Sequence, residues 1–187
     1  MTNANPEIIF QLNAAFSKNS KATELTTLIA QCVIPILLDW NGVLASDLEP
    51  IELNPETRSS LRYILEHGIT PFIITLADNW SYIHDLLKEV RPNVLQEVVI
   101  MTNQTWALDH PYPPWNKRVR HLFPGRNTLA IIDNDKAAVT KNPGMKGFHV
   151  KTYKPLSELI DQDISYAYES LTAATKAATA VYKNALS

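Results

Sequence analysis

Residues Pro35-Ile36-Leu37-Leu38 form an uninterrupted apolar run that ends in a lone carboxylate, Asp39, with Trp40, Asn41 and Gly42 directly behind it. A short run with no polar alternation suits a strand buried on both faces, which is how strands of parallel sheets read. A glycine three residues past the carboxylate lets the backbone turn sharply. The carboxylate is thereby placed at the carboxyl end of a strand, where open α/β sheets carry their chemistry. This one stretch therefore predicts an α/β chain built on a parallel sheet.

Further runs of the same kind follow. Thr70-Pro71-Phe72-Ile73-Ile74 ends in the hydroxyl residue Thr75, and Asn127-Thr128-Leu129-Ala130-Ile131-Ile132 ends in Asp133-Asn134-Asp135. Strands are predicted over about 33–38, 70–75, 98–101, 128–133 and 148–152. Helical periodicity separates them. Residues 7–16 and 22–32 read as two short helices before the first strand. Asn54-Pro55-Glu56 carries helix-start chemistry, with Asn as cap, Pro at the first helical position and an acid in the first turn. Leu61, Ile64 and Leu65 form the stripe of that helix, and Gly68 closes it. A later helix turns Ile83, Leu86 and Leu87 inward and stops before Pro92, and another is expected near 116–123. Residues 43–53 read as a short irregular segment rich in acids, and 103–116 as a loop with Trp106, Tyr112 and Trp115 among prolines. Strands alternating with helices give a doubly wound, Rossmann-like parallel sheet of about five strands.

The tail differs. Ile160, Ile164, Ala167, Leu171, Ala174, Ala178, Val181 and Ala185 are spaced alternately four and three apart, a heptad seam rich in alanine. A long C-terminal helix is expected, either packed on its own domain or forming a dimer or interdomain contact. The chain then divides into a helical extension (1–32), a core (33–155) and a C-terminal helix (156–187), with a further domain expected beyond it. The 187 residues are 45% hydrophobic, ordinary for one globular core, and the net charge of −2 gives no reason to expect nucleic acid as partner. No apolar run is long enough to span a bilayer, and the first residues lack the basic and apolar regions of a signal peptide. The single cysteine, Cys32, reads as a buried small hydrophobe in a reducing compartment, so a cytoplasmic location is expected.

The ordered set of motifs resembles that of the haloacid dehalogenase (HAD) superfamily, over roughly residues 33 to 155. Asp39-Trp40-Asn41-Gly42-Val43-Leu44 resembles its first motif, Thr75 its second and Asp133-Asn134 its fourth; Lys117 stands where the third motif supplies a lysine, with Lys141 and Lys146 as competitors. The resemblance implies that Asp39 attacks phosphorus and forms an aspartyl-phosphate. It implies a Mg2+ ion held by the Asp39 carboxylate, the main-chain carbonyl of Asn41 and Asn134, with Asp133 beside it directly or through water. Thr75 would hold phosphoryl oxygens and Lys117 would neutralise their charge.

Asn41 departs from the pattern, which has aspartate there. In most HAD phosphatases that aspartate protonates the leaving oxygen and then activates water. Neutral asparagine forms hydrogen bonds but transfers no proton, a step typically worth about 10²–10⁴-fold in rate. A phenolate, with a pKa of about 10, needs that help least. The expected activity is thus hydrolysis of aryl phosphates, on a small molecule or on phosphotyrosine in a protein. Asp78 and Asp135 are the nearest candidates to replace the missing acid. The intervals from Asp39 to Thr75 and from Thr75 to Lys117 leave no room for a cap domain, so the site is expected to be open. The resemblance is to the capless branch that includes magnesium-dependent protein-tyrosine-type phosphatases. The aromatic loop would either wall the entrance or cover the sheet edge. The rival expectation is a degenerate HAD-like module that keeps the fold and serves binding or scaffolding.

Overall fold

In the computed structural model, residues 5–18, 22–31, 34–47, 51–75, 80–102, 120–140, 144–154 and 167–183 are described. Strand β1 (Pro35–Asp39) is buried along its whole length and lies at the centre of the sheet. It pairs with β2 (Thr70–Ile74) on one side and β4 (Ala130–Asp133) on the other. β3 (Val99–Met101) and β5 (Lys146–His149) form the edges. The order is β3-β2-β1-β4-β5 and every pairing is parallel. The chain runs outward from β1 to β3, then crosses back to β4. The direction of winding reverses between β1 and β4, and that switch point is where open α/β sheets bind ligands.

Side chains alternate across the sheet with period two. Ile36, Leu38, Ile73, Ile100, Ala130 and Ile132 belong to one apolar layer, and Leu37, Phe72, Ile74, Val99, Met101 and Ile131 to the other. Helices α3 (Thr57–Glu66), α4 (Trp80–Val90) and α7 (Leu171–Ala180) cover the first layer, through Leu61, Ile64, Ile83, Leu87, Leu171 and Ala174. Helices α1 (Pro6–Ser17) and α2 (Ala22–Gln31) cover the second, through Leu12, Phe16, Leu25 and Ile29. Burial on both faces is why these strands read as continuous apolar runs. The buried Asn13 of α1 donates to the carbonyls of Leu95 (3.1 Å) and Val98 (2.7 Å) and accepts from Ile100 N (2.9 Å). It thereby satisfies backbone groups beside edge strand β3 that would otherwise invite pairing.

The five expected strands, and the helices expected before β1, after Asn54 and before Pro92, are present with shifted ends. Asn54 caps a turn rather than the helix itself: its Oδ1 accepts from Glu56 N (2.9 Å), and α3 begins at Thr57. β5 starts earlier than expected, because the exposed Lys146 and Gly147 pair through their backbones and carry no burial signal. Two short helices, α5 (Val94–Glu97) and α6 (Lys136–Thr140), are too brief to show a period. Of the helix expected near 116–123, the described part is a 3-10 turn, Arg120–Leu122. The segment read as irregular is tightly built: Val43, Leu44, Ala45 and Ser46 are buried, and Ala45 pairs with Leu53.

The C-terminal helix is shorter in its described part than the heptad spacing predicts. It starts at Leu171, with Ser170 Oγ capping Ala173 N (3.1 Å), while Tyr168 pairs with Val150 in extended form. Ala167 therefore stands ahead of the helix, and Ile160, Ile164 and Ala185 lie outside the described residues. Leu171, Ala174 and Ala178 are buried within the first apolar layer of this same chain. No described helix is long and apolar enough to cross a membrane.

Candidate active site

The carboxyl ends of β1 and β4 lie side by side and present Asp39 and Asp133, both buried. Asp39 Oδ1 accepts from Trp40 N (2.8 Å). The Trp40 carbonyl then accepts from Val43 N (3.3 Å), Leu44 N (3.1 Å) and Ala45 N (3.0 Å), so the chain reverses at once. Gly42 makes this turn at φ +75°, a left-handed conformation that residues with a Cβ rarely adopt. A Cβ there would also meet the amide of Asn134 and stand 2.9 Å from Thr152 Cγ2. Glycine is thus needed for its conformation and for the close approach of Asn134.

Asp133 Oδ1 accepts from Asp135 N (2.7 Å), which folds the loop after β4 and turns Asn134 toward β1. One end of the Asn134 amide lies 3.0 Å from Asp39 Oδ2 and 3.1 Å from the Asn41 carbonyl oxygen. Its other end lies 3.1 Å from Thr152 Oγ1. Oxygen and nitrogen of the amide exchange places on a half-turn. With nitrogen inward, Asn134 donates to both Asp39 and Asn41; with oxygen inward, three oxygens converge.

Cis ligands of an octahedral Mg2+, with bonds of 2.0–2.1 Å, stand about 3 Å apart. The separations here match that spacing, and the donors are all oxygen: a carboxylate, a main-chain carbonyl and an amide. That set fits a hard divalent cation. Among the described residues no three His, Cys, Asp or Glu side chains cluster as a metal site, because this cradle contains only one such side chain at its centre.

Thr75 follows β2 and is fully buried. Its N donates to Met101 O (3.1 Å), and its hydroxyl donates to Asn41 Oδ1 (3.1 Å). The structure thus brings together Asp39, Asn41, Thr75 and Asn134, with Asp133 supporting the turn. Lys117, its competitor Lys141, Asp78 and the aromatics of the 103–116 loop lie outside the described residues. Lys146 is exposed and pairs with Ala130, at the opposite end of β5 from the Asp133–His149 pair, which removes it from the site. Asp135 caps α6, its Oδ1 accepting from Ala137 N (2.8 Å).

Four contributors, Thr152, His149, Val150 and Tyr153, were not legible in the sequence. Thr152 holds the outer end of the Asn134 amide. His149 Nε2 lies 3.1 Å from the Asn134 carbonyl oxygen. Val150 N donates to Asp133 O (3.1 Å) and Tyr153 N to Gly42 O (2.7 Å). Residues 149–153 therefore strap the two site loops together. These contacts join segments far apart in sequence, and no local pattern announces them.

No protein-family model matches this chain, and no curated protein sequence matches it. Among solved structures, D,D-heptose 1,7-bisphosphate phosphatase from B. bronchiseptica, complexed with magnesium and phosphate, aligns over 78% of this chain and 97% of its own, with a TM-score of 0.51 and 16% identity. A protein assigned as a HAD-like phosphatase from Mesorhizobium loti aligns over 81% of this chain and 87% of its own, with a TM-score of 0.47 and 15% identity. With its five parallel strands in the order β3-β2-β1-β4-β5, the chain shares the fold of that heptose bisphosphate phosphatase.

Proposed function

We propose that this chain is a magnesium-dependent phosphatase that works through an aspartyl-phosphate on Asp39 and prefers aryl phosphates, phosphotyrosine among them. The observation that carries this reading is the approach of the Asn134 amide to both Asp39 Oδ2 (3.0 Å) and the Asn41 carbonyl (3.1 Å) at the switch point of the sheet. In this reading Asp39, the Asn41 carbonyl and Asn134 hold Mg2+, with Asp133 behind them. The ion would offset the repulsion between a carboxylate and a phosphate dianion.

The chain's own residues do the rest. A carboxylate is ionised at neutral pH and needs no base to act as a nucleophile. Asp39 Oδ1, oriented by its bond from Trp40 N, is the oxygen that attacks phosphorus in this reading. The new Oδ1–phosphorus bond forms as the bond to the leaving oxygen breaks. The Thr75 hydroxyl, on turning from Asn41 Oδ1, would steady the phosphoryl oxygens together with neighbouring amides, and Lys117 would add positive charge. Water then attacks the phosphorus, releases phosphate and restores Asp39. Asn41 moves no proton in either step, so a phenolate that leaves unprotonated is favoured.

The second reading, a HAD-like module without catalysis, is favoured by one observation. The Thr75 hydroxyl donates to Asn41 Oδ1, the position where an acid would stand. Hydrolysis of p-nitrophenyl phosphate and of a sugar phosphate, with and without Mg2+, separates the readings. We expect Mg2+-dependent turnover of the aryl ester by the parent and none by Asp39→Asn. Activity of Asp39→Asn near the parent's would exclude the phosphoaspartate. No turnover by the parent on either ester would favour the module.

A further inference from the structure

We propose that the Asn134 amide turns over when the cation cradle fills, and that Thr152 is the positioning residue serving both of its orientations. This rests on the cation reading above.

The argument begins with hydrogen bonds that must exist in each state. Without a cation, an amide oxygen facing Asp39 Oδ2 and the Asn41 carbonyl at 3.0 and 3.1 Å would set three acceptors together with no proton between them. The NH2 group must face inward, donating to both. The amide oxygen then faces outward and accepts from the Thr152 hydroxyl at 3.1 Å. With a cation present, only the oxygen is a ligand, so the amide must present it inward and its NH2 outward. Thr152 Oγ1 is then the acceptor, at the same position.

A hydroxyl both donates and accepts, so it can serve either orientation. A carboxylate would only accept and an ammonium would only donate, each locking one state. The space for the amide is kept by Gly42, where a Cβ would meet Asn134 and Thr152. The reach of the hydroxyl is fixed by the strap that carries it, through Val150 N to Asp133 O (3.1 Å) and Tyr153 N to Gly42 O (2.7 Å).

Losing the hydroxyl does not affect the two states equally. The inward NH2 keeps two bonds to Asp39 and Asn41 without Thr152. The outward NH2 keeps none within the described contacts, and an unmet donor is less tolerated than an unmet carbonyl. Removing Thr152 therefore weakens the cation state more.

The test uses the whole chain and Mg2+ alone. Calorimetric titration is run on the parent, Thr152→Val, Thr152→Ser and Asp39→Asn. We expect Thr152→Ser to stay within about threefold of the parent, and Thr152→Val to bind about 10–100-fold more weakly, the usual effect of losing a ligand's outer partner. Nitrogen-resolved NMR of the parent follows the Asn134 side-chain NH2 pair, identified by its loss in Asn134→Ala. Addition of Mg2+ is expected to move this pair and to quicken exchange of its protons with water. Mg2+ binding with an unmoved pair, or equal affinity of Thr152→Val and the parent, overturns the proposal and leaves the cation reading standing. A parent that binds no Mg2+ overturns both.

Discussion

The Thr75 hydroxyl donates to the side-chain oxygen of Asn41 across 3.1 Å, joining the end of β2 to the turn after β1. Two of the residues that face the substrate in the proposed reaction are therefore one unit. Thr75 is oriented by a group that accepts its proton and gives none back. An aspartate at the same position would accept that bond equally well when ionised, and would also carry a proton to and from the leaving oxygen when protonated.

Asn41→Asp is thus expected to keep the contact with Thr75 while restoring a proton carrier. On phosphoserine and phosphotyrosine peptides of one sequence, kcat/KM of the parent should favour phosphotyrosine steeply. The substitution should raise the phosphoserine value by about 10²–10⁴-fold and the phosphotyrosine value far less. Equal rates on both peptides, unaltered by the substitution, would show that another residue already transfers the proton.

Gly42→Ala is expected to separate folding from cation binding. Holding an alanine near φ +75° costs roughly 1–2 kcal/mol. Its Cβ would in addition press on the Asn134 amide and on Thr152 Cγ2, so the cradle deforms even where the fold survives. Thermal unfolding with and without Mg2+ reads both effects. The variant should melt lower than the parent and lose most of the rise in Tm that Mg2+ gives the parent. A full Mg2+ increment would mean that the loop yields without disturbing Asn134.

How much of this was readable before the structure follows from the kind of signal each residue leaves. β1, β2 and β4 are continuous apolar runs because both sheet faces are covered, and the polar residues that end or follow them, Asp39, Thr75 and Asp133, stand out by contrast. Asn134 was placed by its neighbour in the motif. Thr152 was hidden, since its partner Asn134 is distant in sequence and a threonine near a strand end is unremarked. β5 was misplaced because the Phe148-His149-Val150 stretch looked like the strand, while the pairing starts at Lys146. Of the heptad positions in the tail, Leu171, Ala174 and Ala178 do share a buried helix face, yet a face does not name what covers it. Here α3 and the sheet cover Leu171, Ala174 and Ala178.

That docking gives a third expectation. Leu171 is 2% exposed, and a lysine there would bring an unpaired charge into the apolar layer. Leu171→Lys should lower unfolding stability by about 3 kcal/mol or more, comparable with emptying a buried leucine site. Urea denaturation measures the loss, and sedimentation of the same samples should give one unchanged mass. A fall in mass would show that the helix face serves a second copy of the chain as well.

Tyr182 offers a test at the opposite end of the sheet. Its hydroxyl donates to Pro35 O (2.6 Å) and accepts from Ala130 N (2.8 Å), bridging β1 and β4 where their amino ends part. Burial holds the phenol proton on far above its ordinary range. In the unfolded chain the same phenol ionises near pH 10. The folded state therefore binds the proton more tightly, and stability from this group is complete below about pH 10 and declines as pH rises beyond it, by up to about 1.4 kcal/mol per pH unit. Tyr182→Phe keeps the ring but leaves both backbone groups without the hydroxyl, a loss of about 1–3 kcal/mol at neutral pH. The comparison is between parent and variant in urea, so that the other tyrosines and the lysines cancel. The gap between them should be constant near neutrality and shrink above about pH 10. Parallel stabilities through that range would mean that the Tyr182 proton is as free in the folded chain as in the unfolded one, and that the bridge between β1 and β4 does not hold it.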